Sequence, residues 1–351
     1  MYSEIYSFRY MTFNVCNTPQ MVKDPAYKEL QFVDRLDKIT AVIQKFSPDA
    51  VGFQEIRDVE GVTVMSLLWE KLNPLGYRIK YQEGNLNESA SYNTIAYKAD
   101  KLWPQAVTTW WNSATPEKPS CSYGNGWPRA ILAITFYPVK KSTIHRKGVN
   151  NEITVIEQLV PDYSSIPLLL VNSHLGLARG ISDPKERIFS NQNTIQKITQ
   201  LVNNKPTFVV SLGDFNSFPE TPYYKEEMNV YHLNGFVDSV TSSQLLNQDN
   251  IPISGTFIGY SPDDFKCTNE KLGAALDHIW VKSFFPNEDW TATIKNCFAI
   301  TAIDHMLKKE EIKKESDLLM TKEDLPLRDH YPSDHLPVVL DFEVKIICNV
   351  N

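Results

Sequence analysis

The feature that most constrains this chain is an apolar run that stops on an acid. Thr207-Phe-Val-Val-Ser-Leu212 reads as a buried strand, and Gly213-Asp214-Phe215-Asn216 sits where that strand emerges. The far end repeats the pattern in reverse. Leu336-Pro-Val-Val-Leu340 reads as another strand, with Asp334 and His335 at its entrance. Carboxylates, amides and imidazoles gathered at strand ends are how an α/β scaffold builds a hydrolytic metal site.

The same alternation of strand-like and helix-like stretches runs through the chain. Phe8 to Val15, Ala50 to Phe53, Tyr77 to Tyr81, Thr94 to Lys98, Ile131 to Tyr137, Leu168 to Asn172, Leu276 to Val281 and Leu336 to Phe342 read as strands. Asp34 to Phe46 carries Leu36, Ile39, Val42, Ile43 and Phe46 at helical spacing and is stopped by Ser47-Pro48-Asp49. Thr63 to Leu72 and Lys185 to Val202 are further expected helices. We find no repeat and no low-complexity linker, so one domain over residues 1–351 is expected. Residues 140–166, with the basic opening Lys140 to Lys147, and the charged segment 304–332 read as surface insertions.

Bulk properties narrow the class. Lys+Arg 35 against Asp+Glu 42 gives a net charge of −7, which argues against a broad basic face for nonspecific polyanion binding. A phosphate-ester substrate is compatible with that charge, because a bound cation supplies positive charge locally. No secretory signal and no apolar run of membrane-spanning length is visible. Five cysteines without a CxxC pair favour reduced thiols in a cytoplasmic compartment, with a non-classical export route still open. Asn87-Glu-Ser89 matches a glycosylation triplet of the kind that arises by chance.

Six segments read together as one site. Asn14 ends the first strand, Glu55 the second and His174 the Leu168 strand. Asp214 and Asn216 follow the Thr207 strand, Asp277 and His278 interrupt Leu276 to Val281, and Asp334 and His335 open the last strand. Taken singly, each has a plain alternative: a turn at Asn14, a surface charge at Glu55, a core histidine at His174, an Asx turn at Asp214, a strand-entry cap at Asp334. An acid within Ala274-Ala-Leu-Asp-His-Ile-Trp280 is harder to explain away, since an unpaired buried charge is costly.

The set suits phosphoester hydrolysis with Mg²⁺ or Mn²⁺. Glu55 is the first choice for the metal carboxylate, Asn14 its neighbouring amide and Asp334 the second acid. Asp277 with His335 forms an acid–imidazole pair able to take a proton from water. Asp214 and Asn216 would hold the attacking water and a phosphoryl oxygen, and His174 would donate to the transition state.

In this order the motifs Met11-Thr-Phe-Asn-Val15, Gln54-Glu-Ile56, Asn172-Ser-His-Leu175, Gly213-Asp-Phe-Asn-Ser217, Leu276-Asp-His-Ile279 and Ser333-Asp-His-Leu-Pro337 resemble the endonuclease/exonuclease/phosphatase superfamily. The resemblance spans residues 8 to 342. It implies a four-layer α/β/β/α sandwich of two packed mixed sheets flanked by helices, with the site at one end of the sheets. It implies Glu55 as the principal metal ligand and Asp277–His335 as the dyad, and leaves open whether Asp214 or His335 takes the proton. Trp110 to Ser120 followed by Trp127-Pro-Arg-Ala130 is similar to a bacterial-type branch, which turns Arg129 toward the substrate phosphate; a structural salt bridge is the even alternative. Asn93, and Arg187 as a further cation, complete the substrate-side candidates. His278 departs from the Tyr usual in that branch, and the Trp-x-Gly-Asp and Cys-Asp-Arg signatures of inositol phosphatases are absent.

The expected activity is a metal-dependent phosphoesterase, nuclease-like and acting on a phosphodiester, working as a monomer. A small-molecule or lipid phosphate is the alternative substrate class. A non-catalytic binding scaffold is a minor reading, because both Glu55 and His335 are retained.

Overall fold

The structure, a computed structural model, describes residues 2–17, 32–58, 63–82, 92–122, 128–147, 152–176, 184–218, 221–240, 246–247, 255–257, 275–300 and 333–348. The expected insertion at 304–332, the triplet at Asn87 and Trp127 lie outside the described residues.

Two seven-stranded sheets form the centre. In the first, β1 (Tyr2–Asn14) lies between β2 (Ala50–Ile56) and β14 (Val338–Cys348). β1 runs parallel to β2 and antiparallel to β14. β4 (Tyr92–Lys98) and β3 (Tyr77–Gln82) extend it on one side, and β13 (Trp290–Ala299) and β11 (Leu246–Asn247) on the other. The second sheet centres on β9 (Thr207–Asp214), parallel to β8 (Leu168–His174) and antiparallel to β12 (Asp277–Phe284). β6 (Ala130–Lys147) and β5 (Leu102–Trp111) follow β8, β7 (Ile153–Pro161) pairs with the distal half of β6, and β10 (Val237–Asp238) closes the far edge.

Three apolar layers separate four structural ones. Phe8, Tyr10, Leu170, Val210, Leu340 and Phe342 pack between the sheets. The opposite faces of β1 and β2 present Met11, Phe13, Val51 and Phe53 to α1 (Phe32–Phe46) and α2 (Val64–Leu72). Val171, Val209 and Trp280 meet α3 (Pro184–Val202) and α4 (Tyr224–Leu233). Strands covered on both faces carry near-continuous apolar runs, which is why β8 and β9 are buried along their whole length. The chain thus forms the α/β/β/α sandwich that the resemblance implies.

The expected strands and helices are present with shifted ends. α1 presents the helical apolar stripe to the core, and Ser47, in the left-handed region at φ 49°, ends it before Pro48. Residues 140–161 form an outlying hairpin rather than a separate unit, because β6 continues 18 residues without a break. Trp103, Trp110 and Trp111 lie on strand β5, and β13 and α4 have no counterpart among the expected elements. Cys16, Cys121 and Cys297 form no disulfide among the described residues. No helix among the described residues is long and apolar enough to cross a membrane.

Candidate active site

Strand direction alone brings the polar residues to one end of the sandwich. β1, β2, β8 and β9 run toward that end and deliver Asn14, Glu55, His174 and Asp214. β6, β12 and β14 start from it, which places Arg129, Asp277 and His335 there. Registers fix the spacing: Asp214 lies opposite both His174 and Asp277 in its sheet.

The two sheets are braced below the site by a buried amide network. Gln54 Nε2 donates to Asn172 Oδ1 at 2.7 Å, and Asn172 Nδ2 donates to the carbonyls of Phe53 and Thr94, each at 2.9 Å. Asn93 belongs to the same brace. Its side chain is 4% exposed, and Nδ2 donates to Ala130 O at 2.6 Å and Asn172 O at 3.4 Å. That amide nitrogen is therefore engaged with backbone rather than aimed at a substrate.

Asp214 Oδ2 is the hub. Asn14 Nδ2 donates to it at 2.9 Å, His174 Nε2 lies 3.6 Å away and His335 Nε2 3.8 Å away. Asp214 Oδ1 accepts from the Asn216 backbone N–H at 2.8 Å, so the Asx turn and the site position are one feature. Asn216 Nδ2 in turn holds Leu175 O at 3.0 Å. Gly213, at φ 144°, permits the close approach to β8: a Cβ there would lie 1.9 Å from Ser173 O. Burial raises the Asp214 carboxyl pKa, opposed by His335 and reinforced by Asp277.

Asp277 and His335 meet at the site. His335 Nδ1 and Asp277 Oδ2 lie 2.8 Å apart, and Thr256 Oγ1 donates to the same carboxylate oxygen at 2.6 Å. Burial would lower the His335 pKa, but Asp277, Asp214 and Asp334 together raise it well above the ordinary value. His278 points to the other face of β12, where Nδ1 meets Asp238 Oδ2 at 2.8 Å; it is a buried, paired core histidine.

His174 behaves oppositely. Burial, Arg129, His335 and Arg57 push its pKa well below the usual value, leaving a neutral ring. Arg129 Nη1 sits 3.0 Å from Nδ1 and 3.2 Å from Nε2 of that ring. An arginine only donates, so the neutral imidazole accepts.

Glu55, His174 and Asp214 each bring one ligand atom within 4.8 Å of the others. Glu55 stands at φ 61°, in the register shift between Phe53 and Ile56, and its Oε2 is buried without a hydrogen-bond partner. A strained acid with an orphaned oxygen fits a hard divalent cation. Asn14 offers Nδ2, not its oxygen, to Glu55 Oε1 at 3.2 Å and to Asp214, while its Oδ1 accepts from the Cys16 N–H. In this arrangement Asn14 holds the two carboxylates together. Asp334 is half-buried beside Ser333, whose Oγ donates to Asn14 O at 2.6 Å; burial and Glu55 raise its pKa, with His335 opposing.

Arg187 is elsewhere. It is 1% exposed, and its Nη2 forms an ion pair with Glu227 Oε1 at 2.7 Å that ties α3 to α4. Conversely, the sequence reading missed Arg57, directly after Gln54-Glu-Ile56, and Thr256, which orients the dyad acid. Arg57 stands beside a quoted motif and Thr256 apart from any, and only three-dimensional proximity brings them to the site.

Several solved structures share the fold. An endonuclease/exonuclease/phosphatase family protein of Bacteroides thetaiotaomicron superposes with a TM-score of 0.66 at 18% identity, covering 97% of this chain and 96% of that one. A mannosyl-6-phosphatase of the same organism gives 0.64 at 18% identity, with 95% and 99% covered. The human Nocturnin catalytic domain, with a bound sulfate, gives 0.57 at 14% identity, with 97% and 96% covered. An uncharacterized protein of Acanthamoeba polyphaga mimivirus is 33% identical over 106 residues, which are 29% of this chain and 39% of that protein. The match therefore spans well under half of that relative's length. The sequence profile described as the Endonuclease/Exonuclease/phosphatase family matches residues 11–335, from the first motif strand to the dyad histidine, and the chain belongs to that family of phosphoester hydrolases.

Proposed function

We propose that this chain is one domain that hydrolyses a phosphate ester with the aid of Mg²⁺ or Mn²⁺, in a reducing, cytosol-like compartment. The observation that carries the reading is the convergence of a partnerless Glu55 oxygen and the Asp277–His335 pair on Asp214. Glu55 and Asp214, with His174 or Asp334 beside them, would hold the cation. When bound, it offsets phosphoryl charge and stabilises the leaving oxygen. Asp214 and Asn216 position the attacking water, and its proton passes to the Asp214–His335 pair, which titrates as a unit. Asp277 and Thr256 hold the His335 ring in line. Neutral His174, backed by Arg129, faces the phosphoryl oxygens.

A small phosphorylated molecule is favoured over a nucleic-acid polymer. The basic run Lys140 to Lys147 begins ~35 Å along β6 from Arg129, at the other end of the sandwich. It is thus poorly placed to extend positive surface beside the site.

The test is turnover of bis-p-nitrophenyl phosphate and p-nitrophenyl phosphate before and after EDTA, with Mg²⁺ or Mn²⁺ restored. Metal-dependent turnover of either ester, abolished in Glu55→Gln, is the expected result. Turnover that survives both treatments would overturn the reading. For an oligonucleotide, KM should vary little between 50 and 200 mM salt. A duplex binder neutralising ~6–10 phosphates would instead weaken ~10³–10⁵-fold.

A further inference from the structure

Arg57 and Arg129 carry donors that nothing among the described residues uses. Arg57 Nε and Nη1 and Arg129 Nε are all buried without a hydrogen-bond partner. The Arg57 backbone is fixed, since its carbonyl accepts from Asn17 Nδ2 at 2.7 Å. Arg57 stands two residues after Glu55, and Arg129 Nη1 lies 3.0 Å from His174 Nδ1, whose ring Nε2 is 3.8 Å from Glu55 Oε1. The charge of Arg129 lowers the Arg57 pKa, and Glu55 raises that of both. Glu186 and Asp214 also raise the Arg129 pKa, whereas among the described residues Glu55 is the carboxylate that raises that of Arg57. Glu55 in turn is the acid with the strained backbone and the orphaned oxygen, suited to the cation.

Two like charges held together with unused N–H groups are unfavourable until an anion arrives. The geometry of need is specific: at least two acceptor oxygens, carrying more than one negative charge. Resting on the phosphoesterase reading above, we propose that Arg57 and Arg129 form a subsite for a phosphoryl dianion, so that the enzyme prefers a phosphate monoester to a diester. A diester has two non-bridging oxygens and a single charge. Those two oxygens are the ones the Glu55–Asp214 side and His174 require. A monoester adds a third non-bridging oxygen and, above its second pKa of about 6, a second charge. Only that third oxygen is free to reach the arginine pair, and the planar guanidinium fork suits it.

The test uses the full chain with metal, p-nitrophenyl phosphate and bis-p-nitrophenyl phosphate, in wild type, Arg57→Gln and Arg57→Lys. Loss of charge-assisted bonds should lower monoester kcat/KM ~100-fold in Arg57→Gln and diester kcat/KM only about threefold. Arg57→Lys, which keeps the charge without the fork, should fall between. Inorganic phosphate should inhibit diester turnover at least ~10-fold more weakly in Arg57→Gln than in wild type. Residual metal-dependent diester turnover shows that the variant is folded. Equal losses on both esters, or phosphate inhibition unchanged from wild type, would overturn the subsite. Those outcomes leave the metal-dependent reaction standing, whereas activity surviving Glu55→Gln and EDTA would remove the underlying reading instead.

Discussion

His335 Nδ1 and Asp277 Oδ2 meet at 2.8 Å across 58 residues of sequence, in a buried setting where Asp277 Oδ2 also accepts from Thr256. The carboxylate holds the imidazole and favours its charged form. His335→Ala and Asp277→Asn should each lower kcat by ~10²–10⁴-fold, and the double variant little more than either. Steady-state kinetics of the double-mutant cycle checks this. Losses that multiply would mean the two residues act separately.

Glu55 combines the φ of 61° with a buried, unpartnered oxygen. Both are unfavourable for folding and favourable for cation binding. Asparagine tolerates the left-handed region better than glutamate. Glu55→Asn should therefore abolish metal-dependent activity while stability rises by about 1 kcal/mol. Denaturant titration of the metal-free protein measures the gain; a clear loss of stability would show that the backbone is not strained there.

Arg187 and Glu227 form an ion pair in which both side chains are essentially inaccessible. Arg187→Met leaves Glu227 charged and unpaired, at a cost of about 3–5 kcal/mol. Chemical denaturation should show that loss. Activity per folded molecule, measured well below the unfolding temperature, should stay near wild type. A selective rise in KM would return Arg187 to the substrate side.

Asp162 lies at the end of the sandwich away from the site, where Tyr6, Lys140 and Ser164 all donate to its carboxylate. Burial alone would raise its pKa, but those hydrogen bonds prevail and hold it at about 2, below the ordinary 3.8. Since the folded value is depressed, the stabilisation is complete above the unfolded pKa and disappears as pH falls from about 4 through about 2. Allowing for solvent around Lys140, it is worth about 1–2 kcal/mol at pH 7. Asp162→Asn should lose that amount at neutral pH, and the gap to wild type should narrow below pH 4. A gap independent of pH would assign the effect to packing.

Most of the scaffold, and the polar residues at its strand ends, are legible in the chain alone. Buried strands such as β8 and β9 are readable because a strand covered on both faces must be apolar throughout. Their polar ends, His174 and Asp214, are readable because that run stops abruptly. Glu55, Asp277 and His335 follow the same logic. Strand β5 was hidden, because its alternation is broken by Pro104 and by the bulge before Ala106. Which polar side chains come together is set by packing between distant segments. Asn93 and Arg129 look alike in sequence as polar residues at strand starts, yet one braces two backbones and the other reaches His174. Arg187 directly follows Glu186 in α3, and Arg57 stands two residues after Glu55, just past β2. A 2.7 Å carboxylate on a neighbouring helix pairs Nη2 of the first, although Nε and Nη1 of both arginines are buried without a hydrogen-bond partner. Hydrogen-bond satisfaction depends on which groups approach within about 3 Å, and packing between distant segments alone sets that.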